Sequence, residues 1–427
     1  MQVSEIFAQM VRNCVLGMEH GKDIYEAGHL NLDRLVTHRH VQYLFVPPTA
    51  LQDRQPADRQ LVEELSTQTL DGPFDGVQVV LADIMGHVAR CGCAALGHND
   101  EIRNSEARMT DVTSTAKKII SNVEKVIIGK RPQIILSLVS WFSEGHILLE
   151  DVPGVAKTML ARALSKSVGC DLKRIQCTPD LLPTDVTGVS IFNQKTSEFQ
   201  FRPGPLFAQI VLADEINRAT PRTQAALLEA MAEGRVTVDG VTHALKPPFL
   251  VIATQNPVDH EGTFPLPEAQ LDRFLMRFSL GYPSMEEELT MLEVLRRGSP
   301  LDHLDTVVTA EELLAAQQAV RGVRVDNKLR QYLVQIVQAT RDNEELVLGA
   351  SPRASIALFR TAQAMAAIRG RTYVLPDDVK RVTTAVLTHR GILKPESRLR
   401  KVTAVHVVNE IVADVPVPIL SEGQTGA

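Results

Sequence analysis

The stretch that most limits what this chain can become runs Ile147-Leu-Leu-Glu-Asp-Val-Pro-Gly-Val-Ala-Lys-Thr158, followed by Met159-Leu-Ala-Arg-Ala-Leu-Ser-Lys166. Three apolar residues, Ile147, Leu148 and Leu149, predict a short buried strand. A tight turn comes next, and then a helix with apolar residues at helical spacing. Backbone N–H groups in such a turn, together with the helix N-terminus, make an anion site. Residues Asp151, Val152, Pro153, Gly154, Val155 and Ala156 would form the cradle. Lys157 would reach the β- and γ-phosphates of a nucleotide, and the Thr158 hydroxyl would ligate Mg2+. The general expression G-x-x-x-x-G-K-[ST] has glycines where this chain carries Asp151 and Ala156, so only Pro153-Gly154 shape the loop. Taken alone, the stretch reads equally well as an ordinary strand–turn–helix with a solvated lysine.

Chain length makes room for several such units. The 427 residues are 44% hydrophobic and 22% charged, which predicts two or three domains with sizeable cores. A formal net charge of −6 argues against a strong sequence-independent grip on nucleic acid. No apolar run approaches the roughly 20 residues a membrane-spanning helix needs. The start, Met1-Gln-Val-Ser-Glu-Ile, shows no secretory pattern, and five scattered cysteines fit a reducing cytoplasm.

Residues 1–108 differ in character from the rest, with clustered histidines and polar turns such as Gln52-Asp-Arg-Gln-Pro-Ala-Asp-Arg59. Cys91-Gly-Cys93 beside His87 and His98 raises a metal site. Its C-x-C spacing is not that of usual zinc sites and no second cysteine pair exists, so the reading without metal is the stronger. A small appended domain, a poorly ordered extension and an upstream-start artefact all fit this segment; Met109 looks like a natural beginning.

Helices are predicted from Thr113 through Val126 and from Ile134 through Phe142. Ile210-Val-Leu-Ala-Asp-Glu-Ile-Asn-Arg218 is a continuous apolar run ending in two carboxylates. That pattern fits a central parallel strand whose tip faces a ligand; a strand followed by a helix-capping aspartate is the plainer alternative. Paired with the phosphate loop, Asp214 would hold Mg2+ and Glu215 would orient and deprotonate the attacking water. Phe249-Leu-Val-Ile-Ala-Thr-Gln-Asn-Pro257 is a second such strand, with Asn256 at its tip to hold water or the γ-phosphate. Arg235-Val-Thr-Val-Asp-Gly-Val-Thr-His243 is a hairpin turning at Asp239-Gly240. After Pro283 the pattern is helical: Glu286 to Arg297, Ala310 to Arg321, Asn327 to Arg341, Ala354 to Ile368 and Pro376 to about His389. The last residues read as a tail.

With the motifs in this order, residues 112 to 415 resemble the MoxR family of AAA+ ATPases. The resemblance rests on Leu149-Glu-Asp-Val-Pro-Gly-Val-Ala-Lys-Thr158, Ala213-Asp-Glu-Ile-Asn-Arg218, Ala253-Thr-Gln-Asn-Pro257, Leu266-Pro-Glu-Ala-Gln-Leu-Asp-Arg-Phe274 and Gly349-Ala-Ser-Pro-Arg353. It implies an α/β fold: an AAA+ αβα P-loop core with a parallel sheet over 109–282, an all-helical lid over 283–395, a tail over 396–427, and residues 1–108 as an N-terminal extension. It also implies ATP and Mg2+ as ligands, and a ring, typically a hexamer, with sites between subunits. Arg273 would be the finger reaching a neighbour's γ-phosphate, Arg353 the lid-borne second sensor, and Gly129 would lie near the adenine. Asp151 would add a carboxylate near the phosphates. A salt bridge of Arg273 with Glu268 or Asp272 is the plainer alternative for that arginine.

Family members resemble chaperone-like remodelling ATPases that partner von Willebrand factor A-domain proteins. A nucleic-acid motor shares the hairpin architecture but needs clustered Lys and Arg. Arg235 to His243 offers one arginine against one aspartate. An enhancer-binding activator lacks support because no Gly-Ala-Phe-Thr-Gly-Ala loop appears. Intact Glu215, Asn256 and Arg273 weigh against a nucleotide-gated adaptor that binds ATP but barely turns over, while Asp151 speaks for it.

Overall fold

Apolar runs without alternation belong in strands covered on both faces, and such runs build the frame of the computed structural model. The structure describes residues 109, 111–256, 263–296 and 298–418; Cys91, Cys93 and the rest of the N-terminal extension lie outside them. The sheet strands are β1 (Ile147–Glu150), β2 (Leu172–Gln176), β5 (Ile210–Asp214), β8 (Leu250–Gln255) and β9 (Met276–Phe278). Two hairpins, β3–β4 (Gly188–Asn193, Glu198–Pro203) and β6–β7 (Arg235–Val238, Val241–Ala244), stand apart from the sheet. The sheet order is β2-β5-β8-β1-β9, every pair parallel. Strand order reverses at β1, which puts a crevice at the C-terminal tips of β1, β5 and β8. β1, β5 and β8 are buried almost throughout, whereas only Ile175 of edge strand β2 is.

The opposite end of β1 is fixed by a buried histidine. The Val251 N–H donates to His146 Nδ1 at 3.0 Å, so the ring proton sits on Nε2, 3.0 Å from the Met231 carbonyl it donates to. Burial lowers the pKa of His146 from 6.5 to about 4.

Helix Lys157–Val168 comes after β1 and turns Leu160, Ala161, Ala163, Leu164 and Val168 inward. Helix Pro221–Glu233 starts with Thr220 as its cap and proline at the first turn. Asp239 and Gly240 both adopt positive φ, 50° and 79°, as a two-residue hairpin turn of this hand demands.

The lid is helical, as its 3.6-residue periodicity predicts, and its helices keep closely to that pattern: Met285–Arg296, Ala310–Arg321, Asn327–Arg341, Pro352–Ile368 and Pro376–Leu387. The structure adds a small ribbon, Leu346–Leu348 against Ile392–Leu393, too short to show in a periodicity. It also adds helix Ala404–Asp414 from the stretch read as tail. Val407, Val408 and Ile411 fall on one face of that helix and are buried in the hydrophobic core. Asp272 ties core to lid. Its carboxylate accepts from Arg390 Nε at 2.8 Å and from the Ser351 hydroxyl at 2.9 Å. Among the described residues, no helix is long and apolar enough to cross a membrane.

Candidate phosphate-binding site

A cleft of about 290 Å3 opens at the tips of β1, β5 and β8. Pro153, Gly154, Ala156, Lys157, Thr158, Met159, Asp214, Glu215 and Asn256 line it. Each arrives there for a local reason. The loop after β1 closes on Ala156, whose φ of 61° is a left-handed conformation an alanine adopts only under constraint. That turn aims the first N–H groups of helix Lys157–Val168 at the cleft, where they and the helix dipole favour an anion. β5 delivers Asp214 at its last position, and Glu215 comes next with a φ of 57°, again left-handed and not glycine. Both left-handed residues line the cleft.

The electrostatics are those of a cation held among acids. Burial pulls the Lys157 ammonium below its ordinary range, against the opposing pull of Asp151, Asp214 and Glu215. Its Nζ donates to the Asp151 main-chain carbonyl at 2.7 Å. Lys157 and Asp214 therefore share one site, as the phosphate-loop reading requires and the solvated-lysine alternative does not.

Several residues that hold this arrangement are invisible in the sequence. Thr254, fully buried on β8, donates its hydroxyl to Asp214 Oδ1 at 2.6 Å and accepts the Glu215 N–H at 2.9 Å. One side chain thus fixes both carboxylate-bearing residues. Arg174 on β2 pairs with Asp214 Oδ2 at 2.6 Å. Glu215 Oε2 accepts from Arg218 at 3.0 Å and from Gln176 at 3.3 Å. The only signal for Thr254 is a hydroxyl inside an otherwise apolar run. None exists for Arg174 and Gln176, because β2 is an edge strand with no alternation. Burial, and then Asp214 and Glu215, push the nearby Cys177 thiol up to about 12, so it stays protonated and is no nucleophile.

Some expected residues stand elsewhere. Gly129 abuts the Glu287 carboxylate of helix Met285–Arg296; a Cβ there would run into it, and φ is +75°. Val152 and Val155 belong to the loop but do not line the cleft. Asp151 does not line the cleft: its carboxylate is buried and accepts the N–H groups of Leu280 at 2.7 Å and Gly281 at 2.8 Å. Its charge still acts on the Lys157 ammonium, so the expected carboxylate stands near the phosphate loop but spends its oxygens on backbone donors. Arg273 donates to the Leu228 carbonyl at 2.9 Å, and the Asp272 carboxylate is taken by Arg390 and Ser351, not by Arg273. Arg353 opens helix Pro352–Ile368, whose cap is Ser351, and is exposed outside the cleft lining.

The donor set suits a nucleotide and a hard divalent cation: an ammonium, a hydroxyl and a carboxylate converge beside helix N–H groups. Residues 146–276 match the family described as "ATPase family associated with various cellular activities (AAA)", and residues 338–411 match "AAA lid domain". The chain is 52% identical over 313 residues to Uncharacterized protein YeaC of Bacillus subtilis, covering 73% of this chain and 98% of that one. It is 41% identical over 313 residues to Chaperone MoxR1 of Mycobacterium tuberculosis, covering 71% of this chain and 82% of that one. The crystal structure of a Cytophaga hutchinsonii protein superposes with a TM-score of 0.70 at 38% identity, covering 75% of this chain and 99% of that one. Phosphate loop, acid-tipped strands, lid and relatives agree: this chain belongs to the MoxR family of AAA+ ATPases.

Proposed function

We propose that this protein binds ATP in the β1–β5–β8 cleft, hydrolyses it, and uses the energy to remodel partner proteins in a chaperone-like way. The observation that carries the reading is the convergence of Lys157, Thr158, Asp214, Glu215 and Asn256, from separate strand ends, on one cleft. Loop N–H groups and Lys157 take the β- and γ-phosphates. Thr158 and Asp214 hold Mg2+, which when bound would neutralise charge on the phosphates. Asn256 orients a water, and Glu215 accepts its proton as the oxygen attacks the γ-phosphorus. The bond from γ-phosphorus to the bridging oxygen breaks, and ADP leaves with that oxygen. Desolvation of the Lys157 ammonium supports this role, since a partly dehydrated cation attracts phosphate more strongly than a solvated one.

Arg273 and Arg353 stand outside the cleft of a single chain. In the assembly we propose, typically a hexamer, Arg273 of one subunit reaches the γ-phosphate of its neighbour and the lid swings Arg353 inward. Clients include von Willebrand factor A-domain proteins, and action in the cytoplasm fits the reading. The MoxR1 relative carries the word chaperone in its name, which supports this choice of work for the ATPase.

Lys157→Ala abolishes nucleotide binding, measured with a fluorescent ATP analogue. Arg273→Ala subunits mixed with Lys157→Ala subunits regain part of the lost turnover when sites are shared across an interface. Absence of any regain in a mixture shown to co-assemble refutes the shared site.

A further inference from the structure

Asp151 occupies the place of the first glycine in the general phosphate-loop expression, and every polar atom it carries is engaged. Its N–H donates to the Gln255 carbonyl at 3.1 Å, at the tip of β8 beside Asn256. Its carbonyl accepts the Lys157 ammonium at 2.7 Å. Oδ1 accepts the Val152 N–H at 3.0 Å, and Oδ2 accepts the N–H groups of both Leu280 and Gly281. Leu280 and Gly281 lie in the linker between β9 and helix Met285–Arg296, the first lid helix. The far side of that linker is held too: Lys130 Nζ donates to the Tyr282 carbonyl at 2.9 Å and stands 3.6 Å from Glu287.

One residue therefore touches the phosphate-seeking lysine through its backbone and the lid linker through its side chain. We propose that Asp151 is a positioning residue that couples occupancy of the phosphate loop to the orientation of the lid. A phosphate that draws Lys157 off the Asp151 carbonyl changes the constraint on the same residue whose carboxylate fixes Leu280 and Gly281. A glycine at position 151 would leave the lysine and the linker without this common partner. The buried carboxylate is the means, because a charged acceptor holds two backbone N–H groups more firmly than a neutral one. This rests on the cleft being an ATP site.

Hydrogen–deuterium exchange across 279–284, with and without a non-hydrolysable ATP analogue and Mg2+, tests the coupling in the full chain. In the native protein the analogue changes exchange at Leu280 and Gly281. In Asp151→Gly these amides exchange fast and no longer respond, although the analogue still protects the phosphate loop. Turnover falls about tenfold, as expected when a misplaced lid linker disturbs the reacting geometry, while the affinity for the analogue moves far less. Asp151→Asn keeps the shape with a neutral acceptor and falls between the two; it decides the matter should the glycine variant not fold. A purely structural role would lower the active fraction without separating turnover from affinity. An analogue that binds the native protein without altering exchange at 279–284, or a response that survives in both variants, overturns the coupling alone. A native chain that binds no nucleotide overturns the ATPase reading and the coupling with it.

Discussion

The tips of β1 and β5 carry the same sequence pattern and end in different chemistry. Ile147-Leu-Leu-Glu-Asp151 and Ile210-Val-Leu-Ala-Asp-Glu215 are both buried parallel strands closing on adjacent carboxylates. At β5 both acids line the cleft, Asp214 beside Thr254 and Arg174, and Glu215 beside Arg218 and Gln176. At β1 neither does. Glu150 pairs with Arg277 at 3.2 Å, and Asp151 is turned into the linker. The backbone immediately beyond each strand makes the difference. After β1 the chain runs on into the loop through Pro153-Gly154, and the Glu150 and Asp151 side chains turn to Arg277 and to the linker. After β5 a left-handed residue turns the chain at once into a short 3-10 turn, Ile216–Arg218, and the acids project forward. A carboxylate at a strand tip is thus a candidate only, and the turn beyond it decides its role.

Exchanging charge for amide at the two tips should expose this asymmetry. Glu215→Gln is expected to lower turnover by about 1,000-fold while leaving nucleotide binding intact, in line with loss of a positioned general base; a variant with native turnover would show that Glu215 is not the base. The opposite end of β1 supplies the next largest effect. His146 has its pKa lowered from 6.5 to about 4 by burial, so the unfolded chain takes up that proton before the folded one. Its contribution is complete above about pH 6.5 and is lost as pH falls toward 4, amounting to about 3 kcal/mol. Urea midpoints tracked over that range should fall with pH and should fall less in His146→Gln. His389, also buried and held well below its ordinary value, acts in the same direction in both proteins.

Thr254→Val tests the support beneath β5. It keeps the shape and removes the hydroxyl shared by Asp214 and the Glu215 N–H, so turnover should drop by about 10- to 100-fold. The thermal midpoint should move little relative to that loss. An equal loss of folded protein would reduce Thr254 to packing. The smallest effect belongs to Glu150→Gln. Its pair with Arg277 is partly exposed, so stability should stay within about 0.5 kcal/mol and turnover within about twofold. A large loss there would erase the contrast between the two tips.

Much of the cleft is legible in the chain alone. Lys157, Thr158, Asp214, Glu215 and Asn256 each stand out from a strand–polar tip pattern, and all line it. Helix limits such as Ala310–Arg321 and Asn327–Arg341 accord with apolar periodicity and with caps at Thr309 and Asp326. Strand β2 is not legible, because an edge strand reading Leu172-Lys-Arg-Ile-Gln176 buries a single residue and shows no alternation. With it go Arg174 and Gln176, whose partners lie 40 and 39 positions along the chain. Asp151 is legible as an oddity, but the direction its carboxylate takes is not.

By itself, the sequence determined the layered α/β core, the helical lid and the family, because buried strands, amphipathic helices and a phosphate loop each impose a local residue pattern. Only the tertiary structure decided which acid faces the cleft, which threonine steadies it, and that Arg390 and Ser351 rather than Arg273 hold Asp272. Those outcomes depend on pairings between segments far apart in the chain, and a hydrogen bond across such a distance leaves no period for the sequence to display.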